Sequence, residues 1–381
     1  MKGSCLQEHL SRGLSIVGRA VATRSTLPAL SNILLSADQS GLRLAATNLE
    51  IAITCAVSAL VEEEGSIAVP ARLFSEFVNS FPADRRVDLA LNARTRTLNI
   101  KCAAFEANIK GLDPEEFPPI PEVADPPVAT IDPKVLRQAI EMVAFAAAPD
   151  DSRPVLQGVL TSLREDKVTL AAADGFRLAV KTAPLATPAA QPLDIIVPAK
   201  SYLELARILS DETQPVEIRV TPNRTQVLFQ LSNTALVSRL IEGTFPNYQQ
   251  IIPTRFATRV VVNTQDFLKA TKIASFFARE SANIVRLQIQ AGENTTPGRL
   301  TIAAQAADLG DTVGAVEAIA VEGENAQIAF SAKFLNDVLD VLESAQVCME
   351  ITSPASPGVI RPVDSDGYTC VIMPMHLARG A

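Results

Sequence analysis

Four places in this sequence have residue types that could carry out chemistry. Gly13-Leu14-Ser15-Ile16-Val17-Gly18-Arg19-Ala20 has the glycine spacing of a phosphate-binding loop. It lacks the Lys and Ser/Thr that would reach phosphate and magnesium, and it falls inside an apolar periodicity of helical type. Asp364-Ser365-Asp366-Gly367 has the start of a calcium loop without the closing Glu, so it reads as a turn. Cys5 and His9 are four residues apart, which puts a thiol and an imidazole on one helix face, but no orienting group or oxyanion element accompanies them. Asp174, in Ala173-Asp174-Gly175, is the right type for a general base. Its counterparts in the repeats described next are Asn48 and Asp308, and a residue recurring at strand ends serves structure more readily than catalysis. The expectation is a protein with no catalytic residue, no metal and no cofactor.

The elements that would position such residues occur three times. Leu27-Pro28-Ala29-Leu30 runs on to Leu42-Arg43-Leu44-Ala45-Ala46-Thr47-Asn48. Arg153-Pro154-Val155-Leu156 runs on to Val168-Thr169-Leu170-Ala171-Ala172-Ala173-Asp174, and a weaker copy reaches from Asn283 to Asp308. Val69-Pro70-Ala71 and Val197-Pro198-Ala199 are 198−70 = 128 residues apart. Phe117-Pro118, Phe245-Pro246 and Met373-Pro374 keep the same step (246−118 = 128 and 374−246 = 128). A fixed period outranks any local motif and predicts three domains of one kind, at 1–124, 128–253 and 254–381. Each copy opens on an amphipathic stretch: Leu10/Leu14/Val17/Val21, Leu136/Ile140/Val143/Ala147 after Asp132-Pro133, and Phe267/Ala270/Ala274/Phe277. Each has a second helix after its Val-Pro-Ala or Phe330-Ser331-Ala332 turn, among short alternating strands. The fold class is α+β, with two helices per copy on antiparallel sheet. Pro118 to Pro127 and Ile251-Ile252-Pro253-Thr254 are the candidate linkers.

Composition limits the function classes. Five cysteines, odd in number and with no CxxC pair, suit reduced buried thiols in a cytoplasm. No apolar run approaches the ~20 residues of a membrane span. The net charge of −8 argues against a surface that binds nucleic acid all over, although a local basic face remains open. Charge on the helical segments is near neutral, with the negative excess elsewhere.

Arg24-Ser25-Thr26-Leu27-Pro28, Ala173-Asp174-Gly175-Phe176-Arg177-Leu178-Ala179, Phe245-Pro246-Asn247-Tyr248 and the closing Met373-Pro374-Met375-His376-Leu377 resemble the bacterial DNA polymerase III beta subunit family, the sliding clamps, over the full length. The resemblance implies the DNA-clamp fold and a head-to-tail homodimer: a six-domain ring whose helices face duplex DNA and which tethers replicative and repair polymerases without catalysing anything. It implies partners that include polymerase subunits and a clamp loader, engaging through short linear motifs, and no membrane. It also implies a partner-peptide groove walled by Leu156, Ala173, Gly175, Phe176, Arg177, Leu178, Pro246, Ile251, Val371, Met373, Pro374 and Met375. Gln250 and His376 stand at its rim, where arginines are frequent in the family. By the same alignment Phe276 and Phe277 meet Ala107 and Ile109 of a second copy. Arg24, Arg153 and Lys200, each near a helix–strand turn, are the expected phosphate contacts. Two rivals are an enzyme built on three duplicated domains and a monomeric scaffold that does not bind DNA.

Overall fold

The computed structural model of the chain describes residues 1–376 except 23, 25, 122, 151 and 293–296. Ser25 and Leu377 of the quoted motifs therefore lie outside the described residues. Among the described residues six α-helices form, two in each repeat: α1 (Gln7–Val17), α2 (Ala71–Asn79), α3 (Pro133–Ala144), α4 (Ala199–Ile208), α5 (Thr264–Ala278) and α6 (Ala332–Asp340). The turns at the 128-residue step begin α2 and α4, and Ser331 precedes α6. α3 starts at Pro133, and the Asp132 carboxylate accepts from the Lys134 amide at 2.9 Å, an N-terminal cap of the expected kind. α1 is shorter than its apolar stripe: the chain tightens into a 3-10 turn at Gly18–Ala20 and leaves Val21 extended.

The chain packs as two compact units. One comprises Met1–Lys134, Leu185–Gln191 and Glu204–Leu240; the other comprises Val135–Pro184, Pro192–Leu203 and Ile241–Ala381. The division runs through the second repeat because its strands join two different sheets. In the first unit, strand Thr234–Arg239 pairs antiparallel with Ile51–Val57, with Val237 opposite Ala52, inside an eight-stranded sheet. In the second unit, strand Arg177–Pro184 pairs antiparallel with Tyr368–Ile372, with Leu178 opposite Val371, inside a twelve-stranded sheet. A five-stranded sheet in the first unit ends on strand Phe105–Lys110, which among the described residues pairs only with Thr97–Cys102.

The cores fill from the apolar faces read in the sequence. Leu10, Leu14 and Val17 of α1 and Phe74 and Val78 of α2 are buried, as are Leu335, Val338 and Leu339 of α6. Each such side chain removed from water contributes roughly 1.5–3 kcal/mol. All five cysteines are free and buried. Burial pushes the Cys5 and Cys370 thiols up to about 12, so they stay protonated and inert. The Pro-rich stretch after Phe117 is no loose tether, since Val123 packs on Leu228 and Val237. Likewise Ile252 packs against Leu178, Val359 and Val371.

α5 departs from the expected stripe. Its buried face is Thr264, Phe267, Leu268, Thr271, Ala274, Ser275 and Ala278, which turns Phe276 outward at 65% exposure and leaves Phe277 half-buried. Three of the buried positions are hydroxyl residues; the Thr264 hydroxyl, at the start of the helix, is buried without a hydrogen bond among the described residues, and the other two are bonded. Thr271 Oγ1 donates to the Phe267 carbonyl at 2.9 Å and Ser275 Oγ to that of Lys272 at 2.7 Å, so their polar atoms are satisfied within the helix and they can enter the core.

Candidate functional site

The turn after Ala173 organises the second unit. Asp174 Oδ1 accepts from the amides of Phe176 and Arg177 at 2.9 and 3.0 Å. Asn48 does the same for Glu50 and Ile51 in the first repeat, at 3.0 and 2.9 Å. The strand-end role of this position thus holds in two repeats; Asp308 lies instead in the tight turn before strand Gly310–Gly323. The turn needs positive φ at its second residue, supplied by Gly175 at +91° and in the first repeat by Leu49 at +74°. A methyl group on Gly175 would also lie 2.6 Å from the Arg153 guanidinium. Gly175→Ala is therefore expected to lower stability by about 1–3 kcal/mol, read as a lower urea midpoint at unchanged slope.

Around this turn lie the residues expected to wall a groove, some buried and some exposed. Leu156, Leu178 and Val371 are buried, at 8%, 2% and 1% exposure. Leu156 packs with Ala148, Ile196 and Phe245, while Leu178 and Val371 pack with Val359. Ala173 and Tyr248 touch both clusters and join them. Phe176, Ile251 and Met373 are exposed, as are Gly175, Pro246, Gln250 and His376, while Pro374 and Met375 are half-buried. The C-terminal segment is held by two backbone bonds, Met373 N–H to the Phe176 carbonyl and Met375 N–H to that of Ala329, both 2.8 Å. Met375 thus follows the last strand, which ends at Ile372, and is not part of it. Tyr248 was not among the expected groove residues, although its Phe-Pro-Asn-Tyr motif was plain. Burial, and after it the Asp194 carboxylate, hold its phenol above the ordinary value, so it remains a neutral hydroxyl.

Three expectations need correction on geometry. Arg177, expected as a groove wall, is buried and its charge is already engaged, with Nε 3.0 Å from Asp174 and Nη1 2.5 Å from Asp337. Arg153 is exposed but not a free fork, since its Nη2 donates to the Asp174 carbonyl at 2.7 Å and its guanidinium borders Gly175, which leaves only part of it for phosphate. Ile109 is 4% exposed and faces its own core, which leaves Ala107, the neighbouring Phe105 at 59%, and the unpaired strand edge for any second copy.

The cations of the helical segments fall into two groups. Arg12, Arg19, Arg72, Arg137, Arg207 and Lys272 are held by carboxylates at 2.5–3.3 Å. Arg24, Lys134, Lys200, Lys269 and Lys333 have no ion pair among the described residues, and all five are exposed. Sequence alone could not separate the groups, because several of the pairing carboxylates are far away in the chain, such as Asp211 for Arg12 and Asp340 for Lys272. No group of three His, Cys, Asp or Glu among the described residues could hold a metal, and no described helix is long and apolar enough to cross a membrane.

Comparison with known proteins covers the whole chain. Family models of the DNA polymerase III beta subunit match at residues 1–121 (N-terminal domain), 130–247 (central domain) and 249–376 (C-terminal domain). The beta sliding clamp of Bacillus subtilis is 31% identical over 385 residues, covering 99% of this chain and 100% of the relative. That of Synechococcus elongatus is 32% identical over 380 residues, at 99% and 100% coverage. The crystal structure of the DNA polymerase sliding clamp from Bacillus subtilis superposes with a TM-score of 0.92 at 30% identity, covering 99% of this chain and 100% of that one.

Proposed function

Since the chain belongs to the DNA polymerase III beta subunit family, we propose that it works by enclosure: two copies close head to tail into a ring around duplex DNA, and partner proteins dock in the groove beside Phe176. It is a DNA sliding clamp, a processivity factor and not an enzyme. The observation that carries the mechanism is the pairing of an exposed apolar rim (Phe176, Ile251, Met373) with a buried apolar floor, at positions where the clamp family takes partner peptides. Methionine at such a rim adapts to several related motifs. The groove reading draws support from the hydrogen bonds that hold Met373 and Met375 in place. The site of action is the cytoplasm, consistent with five reduced thiols.

The charge pattern suits sliding. Helix cations already held by carboxylates contribute little to phosphate binding, and the few unpaired ones give contacts that are weak and easily exchanged. Tight phosphate contacts would anchor the ring. Arg24 and Lys200 remain phosphate candidates, joined by Lys134, Lys269 and Lys333. Replacing Arg24, Lys200 and Lys333 together by Ala should flatten the dependence of log K on log salt by roughly 2.7 units, about 0.9 per lost contact. An unchanged slope would place the DNA elsewhere.

The test of enclosure is topological. Protein loaded by a clamp loader onto nicked circular DNA should be retained through gel filtration and released once the DNA is cut to a linear form. Equal retention on both forms would refute a ring and favour direct binding. Absence from both would favour the scaffold reading.

A further inference from the structure

The sheet faces that join successive repeats are built alike. In the second unit Leu178 stands opposite Val371 and Val371 opposite Val359, with Ile252 of the linker packed on them. In the first unit Ala52 stands opposite Val237 and Val237 opposite Leu228, with Val123 of the other linker packed on the last two. The strand ends match as well. The Phe176 carbonyl accepts from the Met373 amide, and the Glu50 carbonyl accepts from the Arg239 amide at 2.9 Å. Side chains set the first junction apart. Ala52 stands where the other has Leu178, and Ala45 and Ala235 lie on either side of Thr54 in the ladder. These small residues leave a cavity of about 530 Å³ on this face, within the ~300–1,000 Å³ usual for ligand sites. Arg43 lines it, exposed and with no ion pair among the described residues. The nearby Asp38 carboxylate is engaged by Ser40, whose hydroxyl and amide hold it below the ordinary range, with Arg43 adding less. The Arg43 fork therefore keeps donors for an incoming anion.

We propose that this cavity is a second ligand site of the chain, taking a short peptide segment with an apolar residue beside a carboxylate. The apolar side chain enters over Ala52 and the carboxylate meets Arg43, whose planar fork can pair with it through two parallel bonds. The site does not duplicate the groove beside Phe176. Where that groove has Phe176 and Met373 at its rim, the first junction has the exposed charges of Glu50 and Arg239, which suit a more polar segment. The two sites share no residue, so only the analogy between junctions rests on the groove reading given above.

The test exploits the burial of all five native cysteines, which makes an introduced thiol the accessible one. In the full-length chain, Thr54→Cys and, separately, Ser36→Cys place a thiol on the cavity wall, and Thr95→Cys places one on an exposed loop of the same unit. Each is equilibrated with four probes, acetyl-Leu-Asp, acetyl-Leu-Asn, acetyl-Leu-Lys and acetyl-Gly-Asp, all coupled to cysteamine as mixed disulfides. Excess mercaptoethanol keeps the exchange reversible, and intact-protein mass reads the capture. Both cavity cysteines should favour Leu-Asp over each of the other probes by roughly two- to fivefold, and Thr95→Cys should show no order. Adding Arg43→Gln to Thr54→Cys should erase the preference for Asp over Asn and keep that for Leu over Gly. Equal capture of the four probes at both cavity cysteines, the same order at Thr95→Cys, or a preference for Leu-Lys would overturn the proposal. So would an Asp preference that survives Arg43→Gln. Binding of the Gln-x-x-Leu peptide is measured separately, so failure of the groove reading leaves this result standing.

Discussion

Removing residues 375–381 will abolish binding of a Gln-x-x-Leu peptide while leaving the fold and the oligomeric state unchanged. The loss takes away Met375 and His376, and with Met375 the second of the two backbone bonds that hold the C-terminal segment. An anchor in a desolvated pocket is worth about 2 kcal/mol or more, so the affinity should fall at least roughly 30-fold. The cost to folding is small by comparison. Only the Met375–Ala329 backbone bond is lost among the described contacts of this segment, about 1 kcal/mol. Calorimetry on the truncated chain, with circular dichroism as the control, measures both. A truncated protein with wild-type affinity would remove Met375 and His376 from the groove. Leu178→Asp would look equivalent from the sequence, but Leu178 is 2% exposed and packs on Val359 and Val371. A carboxylate there would be buried without a partner and would unfold the site along with the binding. Phe176→Ala, at a side chain 60% exposed, is the cleaner companion.

Phe276→Lys will convert a dimer to monomers. The neighbouring Phe277 is half-buried, so Phe276 is the ring free to enter a partner. In the proposed dimer the acceptor would be the edge of strand Phe105–Lys110 left unpaired among the described residues, where Phe105 stacks on Phe81 at 6.3 Å between centroids. A matching free edge runs along residues 310–317, the part of strand Gly310–Gly323 that pairs on one side only. A closed head-to-tail pair contains two identical interfaces, so each substitution counts twice. Losing a buried Phe costs roughly 1.5–3 kcal/mol per interface, hence about 3–6 kcal/mol per ring, a weakening of some hundredfold to ten-thousandfold. The introduced ammonium would also stand beside Arg279, whose guanidinium lies 5.8 Å from the Phe276 ring. Sedimentation at micromolar concentration reads the outcome. A variant that remains dimeric, with an unchanged far-ultraviolet spectrum, would put the interface elsewhere.

The sequence by itself determined the threefold repeat, the six helices and the turns that start the second helix of each copy. These depend on local chemistry: a proline or serine before a helix, a side chain capping a turn, apolar residues at helical spacing. The turn at Asp174 was legible for the same reason, since an Asp or Asn side chain caps the following residues locally, and Asp174 and Asn48 make the same two hydrogen bonds in two repeats. The residues assigned to the groove rest on motif resemblance.

What tertiary structure decided was which way side chains face and with whom they pair. Arg177, Arg153 and Lys200 are all basic residues near turns, and nothing local tells them apart. Only folding brings Asp337, 160 residues away, onto Arg177, and turns Arg153 onto a carbonyl, while Lys200 stays exposed. The face of α5 was misjudged because hydropathy counts Thr271 and Ser275 as polar, whereas their hydroxyls bond to the helix's own carbonyls and leave their carbon surface for the core. The two compact units cut across the three repeats for a similar reason. Repeats are a property of the chain, but strands join whichever sheet offers them an unpaired edge, and those edges come from distant parts of the sequence.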